Sequence, residues 1–431
     1  RPRAVDVVVG HQRPLARGVQ AVPDGNTATV TLPAPGAYTV EADGYHQALH
    51  VFFDPIRDFP AVAQGKAHIL SFGPGVHEIG CMDLESDTAV LIDRDAYLYG
   101  SFRAVCAENI DILGYGVIDG SREVRTDESR LLLNDYTAPL PADRENILRR
   151  LKQRHVLDGI LRFYRCRHIR VEGPTLRDAA TFAVIPAGCE DVTLENLKTI
   201  GMWRYNADGI DLFNCRDVRI RNCFLRNFDD CVVIKGIVGW DTADNADILV
   251  EGCVVWCDWG RNLELGAETN APAFWNILFR NCDCIHGSTA FLDIQHHNRA
   301  DIGQVTFEDI RVEYTKHQLP DVFQNDMDAP YPTDTPVRHP LLFCLPIYRS
   351  GLFAEDGLNG QIHDITFRNI RILTDAPEVP VPESAFLGLD AEHTVERICI
   401  AGVTCNGKRL ATREELRLHI NEFVRDVTIL P

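Results

Sequence analysis

The chain has 431 residues and a formal net charge of −19 at pH 7, with 45% hydrophobic and 24% charged residues. So acidic a surface repels nucleic acid and other polyanions, and no apolar run is long enough to span a bilayer, so neither nucleic acid nor membrane is an expected partner. The composition is that of a globular protein able to bury a large core.

In chain order, the first element is small and antiparallel. AVDVVV, TATVTLP, GAYTVEA and QALHVFF are strand-like runs separated by the turn signals PDGN and PAPG, which predicts a β-sandwich domain over residues 1–57. FFDPIRDFP (52–60) reads as its join to a second domain over 58–431, and a cap on the exposed end of that domain is its expected role. The opening run RPRAVDVVVGHQRPL lacks the apolar core of a secretion signal. The fourteen cysteines match no zinc spacing and several recur at one point of a repeated phrase, so most read as free core thiols. A reducing, cytoplasmic location is the expectation, replaced by a secreted one if a leader has been removed.

From about residue 108 one phrase recurs: a polar start, two apolar residues spaced by two, then Asn, Asp or Gly. Copies are HIRVEGP (168–174), DVTLENL (191–197), DVRIRNC (217–223), DILVEGC (247–253), NILFRNC (276–282), QVTFEDI (304–310), DITFRNI (364–370) and RICIAGV (397–403). Their turn residues stand at 173, 196, 222, 252, 281, 309, 369 and 402, 23 to 33 apart except for one step of 60. Period-two strands at this repeat length predict an all-β fold, a right-handed parallel β-helix. The only helical periodicity is a short run at 142–154, and residues 121–155 and 310–363 read as long insertions.

Within this ladder stands NADGIDLFNCRDVRIRNCFLRNFDDCVVIKG (206–236), where Asp208 precedes the pair Asp229-Asp230 by one coil length. One coil returns the chain about 4.8 Å along, so the three carboxylates are expected on adjacent coils, with a bend at Asn227-Phe228 turning both members of the pair into one cleft. Their mutual repulsion raises the pKa of at least one, which suits glycoside hydrolysis: one carboxyl protonates the leaving oxygen while another activates water.

NADGID and FDDCVVIKG, in this order and spacing, resemble the NTDGID and GDDCIAIKSG motifs of glycoside hydrolase family 28, the polygalacturonase family. The runs at 75–102, 116–121 and 158–184 also resemble it, and the similarity spans roughly residues 65 to 405. The resemblance implies an inverting hydrolase in which Asp229 is the general acid and Asp208 and Asp230 hold and deprotonate the water. Two departures bear on the substrate. Where the family has GHG this chain has GRNLELG (260–266), which puts Arg261 in place of His and adds Glu264. Where the family grips a uronate with Arg-Ile-Lys, this chain has Asp293-Ile294-Gln295. Losing two cations removes the ion pairing a galacturonate needs, so an α-linked neutral or deoxy-sugar poly- or oligosaccharide is the expected substrate. Family 49 β-helix hydrolases, which cleave dextran and pullulan and also carry an N-terminal β-sandwich, are a more distant resemblance.

Asn206, Arg261, Glu264, Asp293, Gln295, His296, Trp203 and Trp259 are the candidate substrate-binding residues. Tyr205 and Trp256 flank the acidic region as stacking surfaces, and Arg204, Asp258 and Glu268 are further candidates for the cleft wall. His296-His297 lacks a third ligand, so no metal and no cofactor is expected. The alternatives are a polygalacturonase-type pectin hydrolase, a polysaccharide lyase or epimerase using Arg261, and a non-catalytic carbohydrate-binding β-helix. Oligomeric state is open.

Overall fold

The computed structural model describes residues 12–25, 27–41, 48–123, 144–145, 159–237, 243–315, 339–349, 357–374, 376 and 378–431. The predicted strand AVDVVV, most of the predicted helix at 142–154 and much of both predicted insertions lie outside these residues.

The chain forms a parallel β-helix with three strands to a full coil. In one coil these are Arg216–Arg221, Phe224–Asn227 and Val232–Gly236, and in the next Asn245–Glu251, Val254–Cys257 and Arg261–Thr269. The first strand of each coil carries the repeated phrase, and these strands stack into a twelve-stranded parallel sheet from His68–Phe72 to Val424–Leu430. The stacking is in register: Val192, Val218, Ile248, Ile277, Val305, Ile365 and Ile398 form one inward column. Strand alternation then leaves Arg219 and Arg221 facing out while Val218 and Ile220 fill the core. A parallel column holds Phe279, Phe307 and Phe367, whose rings stack at 4.8 and 5.3 Å.

The turns explain the residues of the repeat. Asn196, Asn222, Asn281, Asp309 and Asn369 take φ of 54–55°, and Gly173, Gly252 and Gly402 fill the same corner at 98°, 70° and 68°. Left-handed backbone is open to Gly and tolerated by Asn and Asp. The polar start of each phrase is a second such corner, with Asp191, Asp217, Asp247, Asn276, Gln304, Asp364 and Arg397 at φ of 52–58°. The 60-residue step keeps its wall, because Leu341–Pro346 continues the third face and pairs Cys344 with Asp293. All fourteen cysteines are free, and nine are buried. Several stack on successive coils, as in Cys166, Cys189 and Cys215, and burial pushes the thiols of Cys189, Cys257 and Cys284 well above their ordinary range.

Residues 12–53 supply a three-stranded antiparallel sheet (Gln12–Arg13, Gly36–Glu41, Ala48–Phe53) and a hairpin of Ala21–Asp24 with Thr27–Val30. The sheet does not cap an end of the solenoid. It packs on the side of the central coils, where Phe224, Val254, Trp256 and Ile285 point out of the short second strands and meet Ala37, Ala48 and Phe52. A buried polar knot fixes it there: Arg13 bonds Glu41 at 2.8 Å and also pairs with Glu313, while His286 bonds Glu41. Burial raises Glu313 to about 7 against the opposing pull of Arg13.

Phe307→Ala is expected to cost about 3–5 kcal/mol, because it opens a void between two stacked rings. Urea unfolding followed by tryptophan fluorescence should show the transition midpoint lowered accordingly.

Candidate active site

The third strands build the site. In Ile210–Phe213, Val232–Gly236, Arg261–Thr269 and Ala290–His296, the residues Ile210, Leu212, Val232, Ile234, Leu263, Leu265, Leu292 and Ile294 face the core. The alternate positions face outward, so Asp211, Val233, Glu264, Asp293 and Cys344 lie in one column across five coils. Val233 separates Asp211 from Glu264 in that column. Asp208, Asp229 and Asp230 come from the bends just before the strands, and the bend expected at Phe228 is present.

Gly260 makes room for the pair. A Cβ there would collide with Oδ1 of both Asp229 and Asp230 and with the backbone nitrogen of Asp230, so both carboxylates crowd one point above this glycine. Backbone hydrogen bonds tie the bends together: Gly209 N–H donates to Asp230 O at 2.8 Å, and Cys231 N–H to Arg261 O at 2.9 Å.

Seven buried carboxylates share this region (Asp208, Asp211, Asp229, Asp230, Glu264, Glu268 and Asp293) with two cations. Lys235 lies 3.3 Å from Asp208, 3.3 Å from Asp211 and 3.7 Å from Glu268. Arg261 lies 3.1 Å from Asp293, 3.7 Å from Glu264 and 4.0 Å from Asp230, and its backbone N–H donates to Asp230 at 2.8 Å. Asp211 meets the Asp208 carboxyl, and Glu264 meets that of Asp230. Two carboxyl groups in contact need a proton between them, since each offers only acceptors when ionised.

The pKa directions agree with this crowding. Burial, and then the charge of Asp211, push Asp208 well up, with Lys235 opposing. Burial also raises Asp211 to about 7 and Asp293 to about 6. Asp229 is raised well above the carboxylate range by burial and then by Asp208 and Asp230. Among the described residues Asp229 makes no ion pair; the Asn206 side-chain amide donates to its Oδ2 at 3.4 Å. Glu264 is raised by burial and then by Asp230.

The other expected residues divide. Gln295 bonds His297 at 3.0 Å, and His297 stacks on half-exposed Tyr348 at 4.5 Å, one coil further on. Trp259 is half-buried beside the pair, stacked on Phe228 at 5.8 Å with Tyr205 at 5.3 Å. His296 is fully buried with Nδ1 on Thr269 Oγ1 at 2.8 Å, and burial lowers it to about 3. Its ring is enclosed within the protein in this structure. Trp203 lies beside Arg204, which is held by Asp178 and the carbonyls of Ser121 and Glu123. Trp256 and Asp258 belong to the N-terminal contact: Trp256 is fully buried, donates to Asp258 at 2.8 Å and lies under Arg226. Sequence reasoning passed over Asp211 and Lys235. Both were visible as the polar positions of the alternating runs GIDLF and VVIKG. Among the described residues no group of His, Cys, Asp and Glu is arranged to hold a metal ion.

Residues 107–318 match the model of glycosyl hydrolases family 28, the family the motifs resemble. The fold is similar to that of Dex49A from Penicillium minioluteum (TM-score 0.62, 12% identity, 97% of this chain and 78% of that one). It is also similar to a hyperthermoactive exopolygalacturonase from Thermotoga maritima (0.56, 17%, 84% of each) and a family 28 exopolygalacturonase from Yersinia enterocolitica (0.50, 14%, 93% and 85%). A search of curated protein sequences brings no match.

The raised Asp211 makes a pH prediction. Its folded pKa of about 7 lies above the ordinary 3.9, so its stabilisation is complete at acid pH and is lost as pH rises from 4 through 7. Relative to Asp211→Asn, the wild type should therefore lose thermal stability across that window, read as the difference between their melting temperatures.

Proposed function

We propose that this family 28-like glycoside hydrolase cleaves an α-linked, neutral or deoxy-sugar poly- or oligosaccharide with inversion. Asp229 is the general acid, and Asp208 and Asp230 hold and deprotonate the attacking water. The observation that carries the assignment is the unequal sharing of the cations. Asp208 lies 3.3 Å from Lys235, and Asp230 accepts the Arg261 backbone N–H with the guanidinium 4.0 Å away, whereas among the described residues Asp229 makes no ion pair and accepts only an amide. A carboxyl buried beside other carboxyls, with no ion pair of its own, keeps its proton near neutral pH. It can then deliver that proton to the glycosidic oxygen as the C–O bond breaks, while Asp208 or Asp230 takes one from the water. Asp211 and Glu264 share protons with these two bases and complete the site without reacting.

The neutral substrate is supported by the same accounting. Lys235 and Arg261 each face three carboxylates, so among the described residues the cleft has no cation left over for a uronate. Asp293, Gln295 and His297 offer hydrogen-bonding groups suited to hydroxyls. Arg261 cannot serve as a base near neutral pH, which disfavours a lyase.

The test is proton NMR of fresh product from wild-type and Asp229→Asn protein, given dextran, pullulan and galacturonan fragments. A neutral sugar released with inverted configuration, and a loss of about 100- to 10,000-fold in the variant, is the expected result. Cleavage of galacturonan alone would overturn the neutral reading, and unchanged turnover in the variant would overturn the role of Asp229. Gly260→Ala should fold yet lose about 100-fold in kcat, since displacing a reacting group by an ångström costs that much; circular dichroism and rates on the same substrate check it.

A further inference from the structure

A cavity of about 260 Å³ lies where the N-terminal sheet meets the solenoid. On the solenoid side it is lined by the left-handed corner residues Asn196, Asn222 and Gly252, and on the other by Phe53, Asp54 and Arg57. These corners belong to the coils that carry Asp208, the Asp229-Asp230 pair and Arg261. They precede the short second strands, however, whereas the catalytic bends follow them. A four-residue strand such as Phe224–Asn227 spans about 13 Å, and the N-terminal sheet covers the face between. The cavity is therefore a separate site on the same coils.

Its chemistry narrows the ligand. Arg57 is committed to Glu172 at 3.1 Å and Glu195 at 3.8 Å, Asp54 to Lys198 at 2.8 Å, and Arg17, which also lines the cavity, lies 3.9 Å from Asp283 and over the Tyr38 ring. With these charges matched within the protein, neither an anion nor a cation gains a strong partner. The uncharged side chains that face a ligand include the exposed amide of Asn222, the half-exposed Asn196, and Phe53, 45% exposed. Amides that both donate and accept, beside an aromatic face, match a molecule with hydroxyls around its edge and C–H bonds on its flat side. The volume falls just below the roughly 300–1,000 Å³ of small-molecule pockets, room for one or two sugar rings and not for a long chain.

We propose that this cavity is a second, non-hydrolytic glycan site that holds a terminal mono- or disaccharide unit of the neutral polysaccharide cleaved in the groove. The identity of the sugar rests on the neutral-substrate reading given above. Holding a chain end here would keep an insoluble or branched polymer near the carboxylates between turnovers, by raising its local concentration.

The test is isothermal titration of full-length Asp229→Asn protein with isomaltotriose and panose, fragments of dextran and pullulan, before and after adding Phe53→Ala. Two sites falling to one is the expected result, together with unchanged turnover of trisaccharide and a several-fold slower attack on polymer by Phe53→Ala in the otherwise wild-type chain. One site falling to none would uphold the cavity and overturn the neutral reading of the catalytic groove. A site number unchanged by Phe53→Ala, or no binding at all, would overturn the cavity proposal. Asn222→Ala, at an exposed corner, repeats the comparison without touching the sheet.

Discussion

Register is the constraint on which this structure depends. Each coil sets every residue about 4.8 Å above its counterpart one turn earlier, and the pairing holds without interruption across the phrase strands. In the core, that repetition is favourable: like stacks on like, valine on isoleucine, phenylalanine on phenylalanine, thiol on thiol. On the outer side of the third strands the same rule stacks charge on charge, bringing Glu264 over Asp293 and the bend of Asp208 against that of Asp230.

Such a cluster is costly to bury. The protein limits the cost in two ways. Lys235 and Arg261 are spaced so that each serves one group of three carboxylates, and the contacts of Asp208 with Asp211 and of Glu264 with Asp230 let a proton replace a charge. What remains is a region whose protonation is set by neighbours and burial, which is the property acid–base chemistry requires. The parts with no such role, the Asn and Asp corners and the hydrophobic columns, are regular from one coil to the next.

That difference also decides what was legible in the sequence. The solenoid could be read because strand period and turn residue repeat together, and both have direct physical causes in side-chain alternation and left-handed backbone. The interval from Asp208 to Asp229 could be turned into proximity for the same reason. Lys235 and Asp211 escaped notice because, in a single strand, an outward polar residue looks like a solvated one; only stacking shows that it faces other charges. Trp256 misled in the opposite sense. Its neighbours in sequence belong to the site, but it points out of the short strand, toward a sheet whose docking position no local pattern records. The placement of that sheet on the flank was equally hidden, since its anchors, Glu313 and His286, lie in distant coils.

The knot of Arg13 with Glu41 and Glu313 has a consequence for how the molecule is made. Arg13 leaves the ribosome well before one of its buried partners, which stands 300 residues later. At roughly 5–20 residues per second, the N-terminal segment waits about 15 to 60 s for the coil that completes its anchorage. Solenoid coils can add one on another as they emerge, so during synthesis the growing β-helix carries an undocked leading sheet, with Phe224, Val254 and Trp256 uncovered until it closes. This sheet finds its place only after the coil that carries Glu313 has emerged, and in that interval the exposed flank is the surface that a chaperone would need to shield.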